Sequence, residues 1–318
     1  MHDPACTVDG APTCPAPDPR PRGPTRFVVP PGAVDTHAHV IGLPPVHPFV
    51  ASRSYTPPPA SLKRYLSMLD ATGMTYGVLV QVSVHGTDNG LAVEALKANR
   101  ERLRGIGVIP LGLPDKQLGD LKEAGIVGLR LNVLYGGGIG FDHLDSYASL
   151  AHEMGWHLQF LIDAGNLVPL MPRLDKLSVP FVVDHWGHFP VSRGIDDLGF
   201  RTLVSLVRDG AWVKLSGAYR NSIEGPPYAD TVPFVRILHA AAPERCVWGS
   251  DWPHVAHWKY MMNVGDLLDL LVDWVPDAAA RNRVLVDNAY RLYGFKPSRV
   301  TDKASKAGKR SKGAADRL

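Results

Sequence analysis

The chain has 318 residues, of which 45% are hydrophobic and 20% charged, and its formal net charge is +3. These values exclude a disordered or fibrous chain and leave room for a sizeable apolar core. No apolar run approaches the roughly 20 residues that a membrane-spanning helix requires, so no membrane partner is expected.

The positive charge is unevenly placed. Residues 297–318 carry seven Lys/Arg against two Asp/Glu, and residues 1–32 carry three of each, so the middle of the chain is mildly acidic. Basic residues scattered among Ala, Gly and Ser hold anionic polymers only weakly, and no specific nucleic-acid partner is expected. Cys6, Cys14 and Cys246 are too few and too irregularly spaced for a disulfide framework or a zinc finger. The N-terminus lacks the charged start and apolar core of a signal peptide. A reducing, cytoplasmic setting is therefore expected.

In chain order, residues 1–32 come first, with nine prolines that alternate at Pro15, Pro17, Pro19 and Pro21. Such a segment forms neither a helix nor an interior strand, and an extended or disordered tail is expected. A single domain is expected over 33–296 and a second disordered tail over 297–318. Apolar runs predict strands at Ala33–Val40, Tyr76–Ser83, Gly105–Pro110, Ile126–Val133, His157–Asp163, Pro180–His185, Ala211–Ser216 and Arg245–Ser250. Amphipathic stretches between them predict helices at Ala60–Thr72, Gly90–Arg104, Lys116–Ala124, Leu144–Met154, Leu167–Lys176, Gly199–Arg208 and Pro233–Ala241. Eight strand–helix units match a (β/α)8 TIM barrel, an α/β fold that typically takes about 250 residues. A doubly wound open sheet is the runner-up, but no Gly-x-Gly-x-x-Gly turn follows the first strand. Gly136-Gly137-Gly138 lacks the Lys-Ser/Thr of a phosphate loop and reads as a flexible loop beside the site.

A barrel of this kind places its working groups at the C-terminal ends of its strands. His37 and His39, two apart on the first strand, present imidazoles to one face. The second strand ends with Gln81, Ser83 and His85, the fourth with Arg130 and Asn132, the sixth with His185. The seventh is followed by Tyr219 and Arg220, and the eighth delivers Asp251. Three histidines and an aspartate converging there match a mononuclear Zn or Mn site with an open position, and equally a metal-free set of hydrogen-bonding groups. Spacing does not choose between the two. A guanidinium fork suits a carboxylate, so Arg130 and Arg220 are candidate substrate clamps, although Arg130 could instead pair with Asp163.

Four segments carry a resemblance: Val34-Asp35-Thr36-His37-Ala38-His39, Asp184-His185-Trp186-Gly187, Trp248-Gly249-Ser250-Asp251-Trp252-Pro253-His254 and Asp287-Asn288-Ala289-Tyr290-Arg291-Leu292-Tyr293. Together they resemble the amidohydrolase superfamily (amidohydrolase-2 type), and most of all its branch of 2-pyrone-4,6-dicarboxylate lactonases. Tyr55-Thr56-Pro57 and the stretch Gln81–Asn89 resemble that branch as well. The resemblance runs from about Ala33 to Phe295. It implies hydrolysis of a small carboxylated lactone, with Asp251 accepting a proton from water and His37, His39 and His185 lining the carbonyl oxygen. It also implies substrate-binding roles for Arg130, Arg220, Tyr55, Ser83 and His85, with His188 and His254 beside them. It implies no obligatory cofactor; a single divalent ion, if held, would rest on His37, His39, His185 and Asp251. A binuclear site is not expected, because the fourth strand offers no lysine and the fifth ends in Ile162-Asp163. The alternative reading on the same groups is a mononuclear-metal decarboxylase of an aromatic or enoic acid.

Three departures from the lactonase pattern bear on substrate. Tyr135-Gly136 stands where the branch has a basic pair, Leu161 where it has a tyrosine, and His188 where it has an arginine. Fewer cations imply a substrate with one carboxylate, or a larger and more apolar lactone.

Overall fold

Eight apolar runs pair side by side in the order in which they occur in the chain, all parallel, in a computed structural model that describes residues 7–296. They are β1 (Val34–Ala38), β2 (Tyr76–Val80), β3 (Leu103–Gly107), β4 (Ile126–Asn132), β5 (His157–Leu161), β6 (Phe181–Val183), β7 (Trp212–Leu215) and β8 (Cys246–Trp248). Helices cross between successive strands, as parallel pairing demands. The eighth strand meets the first through His39 N–H to the Trp252 carbonyl (2.8 Å), Asp251 N–H to the His37 carbonyl (2.8 Å) and the Thr36 hydroxyl to the Trp248 carbonyl (2.8 Å). The architecture is the expected (β/α)8 barrel.

Local chemistry explains the helix bounds. Asp197 accepts from the Gly199 and Phe200 amides and starts Leu198–Arg208; Gly73, in the left-handed conformation, ends Leu62–Thr72. The helix predicted over Gly90–Arg104 stops at Ala98, because Leu103 and Arg104 already belong to β3. The stretch predicted as one helix over Leu167–Lys176 is instead a 3-10 segment, Ala164–Leu170, running into a single turn, Met171–Leu174; Pro169 and Pro172 deny it regular bonding. After β8 the helix Val264–Trp274 completes the ring.

Two layers of packing follow from alternation. One apolar cluster takes alternate residues from the strands, among them Val78, Val80, Ile106, Val182, Trp212 and Val247, together with Tyr293 and Phe295 from the C-terminal helix end. Further along the same faces come Gln159, Asp184 and Lys214, which are polar and fully buried. The register between β1 and β2 slips between Asp35 and Ala38, a bulge of the kind that re-aims side chains beside a site. Gly249 is required at the seam with β1, since a Cβ there would lie 2.7 Å from His37 Cβ and 2.9 Å from its amide nitrogen.

The N-terminal segment departs from expectation. Residues 7–32 are not a disordered tail but an extended strap laid on the barrel. It opens with a small hairpin, Thr7–Val8 against Ala11–Pro12, whose Asp9-Gly10 turn has both residues at positive φ. Cys14 N–H donates to the Thr56 carbonyl (2.8 Å), Thr56 N–H to the Pro12 carbonyl (2.8 Å), and Trp258 Nε1–H to the Thr13 carbonyl (2.8 Å). Further on, the Thr25 and Arg26 amides donate to the Asp269 carboxylate at 3.0 and 2.8 Å, while Arg22 and Arg26 pair with Asp266 and Asp273. Proline pre-sets the extended backbone, so little freedom is lost on docking, and the amides of Thr25 and Arg26 find their acceptor on Val264–Trp274. The tail expected over residues 297–318 lies outside the described residues.

Candidate active site

The site is built in two tiers above the apolar cluster. In the lower tier Lys214 Nζ donates to the Thr36 carbonyl (2.9 Å) and to Gln159 Oε1 (2.8 Å), and it lies 3.1 Å from His37 Nδ1 and 3.3 Å from Asp184 Oδ1. Asp184 Oδ2 accepts from Gln159 Nε2–H (3.0 Å) and Arg130 Nε–H (3.2 Å). Buried charges persist only with such partners. Burial alone would raise the Asp184 carboxyl, but Lys214, His37 and Arg130 hold it well below the usual carboxylate range. Burial pushes the Lys214 ammonium down to about 8 against the pull of Asp184, so it is charged at neutral pH.

The upper tier carries the four groups that sequence reasoning placed together, and the structure does bring them together. Oδ1 of Asp251 lies 3.7 Å from Nε2 of His37, of His39 and of His185. All four side chains are buried. Oδ2 of Asp251 accepts from the Tyr219 hydroxyl (2.5 Å) and from Arg220 Nε–H (2.8 Å), which leaves Oδ1 as the oxygen that faces the imidazoles. Burial would raise the Asp251 carboxyl; Arg220, followed by His185, His39 and His37, holds it well below the usual range, so it is ionised. His39 Nδ1 lies 2.8 Å from the Val80 carbonyl, which can only accept, so Nδ1 bears a proton and the neutral ring presents a bare Nε2. His185 Nδ1 lies 2.8 Å from the Ser216 hydroxyl.

The backbone is bent to hold these groups. His185, Trp186, His188, Asp251 and His254 all have φ between 38° and 64°, a region that side chains other than glycine rarely enter. Strain of this kind, about 1–3 kcal/mol per residue, persists where surrounding contacts over-determine it. Here the Asp251 amide is tied to the His37 carbonyl, and the His254 amide to the Asp251 carbonyl.

The remaining candidates line the rim, and not all sit as expected. Arg130 pairs with Asp184, not with Asp163, which instead binds Arg193 (2.9 Å). Arg220 uses its guanidinium on protein atoms: Asp251, the Val255 carbonyl (2.9 Å) and the Tyr135 hydroxyl (3.3 Å). Tyr55 and Ser83 bond to each other at 3.0 Å, with Tyr135 edge-on to Tyr55 at 5.5 Å between ring centroids. His188 lies 5.1 Å from His185 and 6.3 Å from Tyr135, ring to ring. His254 packs edge-on against Tyr219 at 5.5 Å. His85 turns toward the Pro48 carbonyl (3.2 Å) and Phe49, away from the quartet. Sequence reasoning passed over Lys214 and Gln159. The signal was a lone polar residue on the inward parity of an apolar strand, which composition alone does not separate from a solvent-facing one.

Ligand atoms of His37, His39 and Asp251 lie within 4.8 Å of one another, as do those of His37, Asp184 and His185, so in number and kind these residues could hold one divalent cation. A ligating histidine needs a bare Nε2, secured by Nδ1–H donating to a carbonyl or carboxylate. His39 meets that condition. His37 Nδ1 stands between the Lys214 ammonium at 3.1 Å and the Asp184 carboxylate at 3.3 Å.

Burial pushes His37, His157, His188 and His254 down to about 3 and His257 to about 4, from an ordinary 6.5. The unfolded chain therefore binds more protons as pH falls below about 6.5, and stability falls with pH from there toward 3. Asp35, raised by burial from 3.8 to about 6, acts in the opposite sense, but it is one group against five. The melting temperature is expected to decline continuously from pH 7 to pH 4 when followed by circular dichroism. A flat profile would contradict the neutral, buried state of these imidazoles.

A closed parallel barrel with three imidazoles and an ionised carboxylate gathered at the C-terminal ends of its strands, where such barrels carry their active sites, defines an enzyme. The chain belongs to the amidohydrolase family, whose profile, described as Amidohydrolase, matches residues 34–295. It is 38% identical to the 4-sulfomuconolactone hydrolase of Hydrogenophaga intermedia over 85% of this chain and 91% of that protein. It is 34% identical to a 2-pyrone-4,6-dicarboxylate hydrolase of Comamonas testosteroni, covering 84% of this chain and 92% of that one. Among solved structures, a probable 2-pyrone-4,6-dicarboxylic acid hydrolase from Acinetobacter baumannii with citric acid bound superposes with a TM-score of 0.72. It is 29% identical over 83% of this chain and 100% of its own.

Proposed function

We propose that the protein hydrolyses a lactone that carries one anionic group, a carboxylate or a sulfonate. The observation that carries this reading is the asymmetry of Asp251: one oxygen is held by Tyr219 and Arg220, and the other faces three imidazole Nε2 atoms at 3.7 Å. Oδ1 accepts a proton from water as the water oxygen attacks the ring carbonyl carbon. An imidazole that presents an N–H to the carbonyl oxygen stabilises the negative charge that develops there, while His39, held through Val80, accepts a hydrogen bond from the attacking water. Collapse of the tetrahedral intermediate breaks the bond to the ring oxygen. The ring oxygen leaves with the proton returned from Asp251, and the product is an open-chain acid.

The preference for a single anion rests on where the cations are committed. Arg220 is tied to Asp251, Val255 and Tyr135, and Lys214 lies below the imidazoles, which leaves the Nη groups of Arg130 to meet an anion at the rim. Tyr55, Ser83 and His188 add hydrogen-bonding and aromatic surface around it. The relatives named for sulfomuconolactone and pyrone dicarboxylate mark the chemical range to be searched. The test is a panel of lactones bearing no, one or two anionic groups, with ring opening followed by ultraviolet absorbance. Singly anionic lactones are expected to react fastest. Equal or faster opening of the dicarboxylate would overturn the preference, and no ring opening across the panel would overturn the hydrolase reading.

A further inference from the structure

We propose that Lys214 is a positioning residue that locks His37 in the Nε2–H tautomer, so that the imidazoles of His37 and His39 face the substrate in opposite states. The geometry starts from what surrounds Lys214 Nζ. Two of its protons go to acceptors that cannot donate along those contacts, the Thr36 carbonyl at 2.9 Å and Gln159 Oε1 at 2.8 Å, since Gln159 Nε2 is already donating to Asp184. The next nearest atom is His37 Nδ1 at 3.1 Å. A proton on Nδ1 would set two N–H donors against each other at that distance, inside a site with no solvent to relieve them. Nδ1 is therefore the acceptor, and the imidazole proton lies on Nε2.

Asp184 does not reverse this. Its Oδ1 lies 3.3 Å from both His37 Nδ1 and Lys214 Nζ, a longer approach than the 3.1 Å between those two nitrogens. His37 Nε2 is buried and has no partner among the described residues, and it points toward Asp251 Oδ1. An orphaned donor at that position is what a developing oxyanion requires. His39, held through Val80, offers a bare nitrogen beside it. On the lactonase reading, His37 then donates to the carbonyl oxygen while His39 accepts from the attacking water. The same wiring withholds the His37 lone pair from a divalent cation.

The experiment needs no substrate, so it fails or succeeds independently of the hydrolase reading. Protein labelled with 15N at histidine is examined by long-range 1H–15N correlation, with His37→Asn used to assign the His37 signals. The wild type is expected to show His37 as Nε2–H and His39 as Nδ1–H; finding His37 as Nδ1–H overturns the proposal. In Lys214→Met the cation beside His37 Nδ1 is gone, and the Asp184 carboxylate, 3.3 Å away, remains as an acceptor for a proton there. The His37 pattern is expected to invert, and zinc affinity, measured by titration on the folded variant, to tighten roughly 10–100-fold, the usual scale of partners that orient ligands. An unchanged tautomer and zinc affinity in a folded variant would also overturn it. If that variant does not fold, the wild-type spectrum alone decides.

Discussion

Replacing Asp251 with Asn is expected to lower kcat for lactone opening by roughly 10²–10⁴-fold, the range that one positioned general base contributes. The amide keeps an oxygen for Tyr219 and Arg220, so the fold should survive, but it cannot take a proton from water. The loss should fall on kcat more than on KM, because Oδ1 meets water and not the anionic end of the substrate. Circular dichroism of the variant should overlay that of the wild type. A loss of less than tenfold in a folded variant would remove Asp251 as the base.

The second large effect concerns recognition. Arg130→Lys keeps a positive charge beside Asp184 but removes the fork, since a single ammonium cannot serve Asp184 and a substrate anion in parallel. KM for a singly anionic lactone is expected to rise roughly 10–100-fold, corresponding to the loss of one or two charge-assisted hydrogen bonds. A neutral lactone of the same ring size should be nearly unaffected, and comparing the two substrates is the measurement. Equal losses on both would mean that Arg130 acts by supporting Asp184 and not by gripping substrate.

Much of this was legible in the sequence because barrel strands are apolar and short. All eight runs were placed, with bounds extending a few residues beyond the hydrogen-bonded ladders, since apolar character continues past the last ladder bond toward the site. The quartet was legible for a related reason: histidine and aspartate at the ends of apolar strands have no bland use for their polar atoms. The strap was not legible. Its prolines suggested disorder, whereas its Thr25 and Arg26 amides are satisfied by Asp269, some 240 positions away, and no local pattern announces such a partner. The protein partner of Arg220 was not legible, because Asp251 is 31 positions further along the chain. Lys214 was overlooked because a lysine in a strand ordinarily faces water, and only barrel closure shows that this one cannot.

The seam between β8 and β1 has one more consequence. Asp35 accepts from both the amide and the hydroxyl of Ser250, 215 positions away, and the neighbouring Asp251 amide holds the His37 carbonyl. The reactive ensemble thus comes into being only when the earliest and latest barrel segments to leave the ribosome are joined. A nascent chain that has not yet released residue 251 lacks the carboxylate that faces the three imidazoles, however well its first seven units are folded.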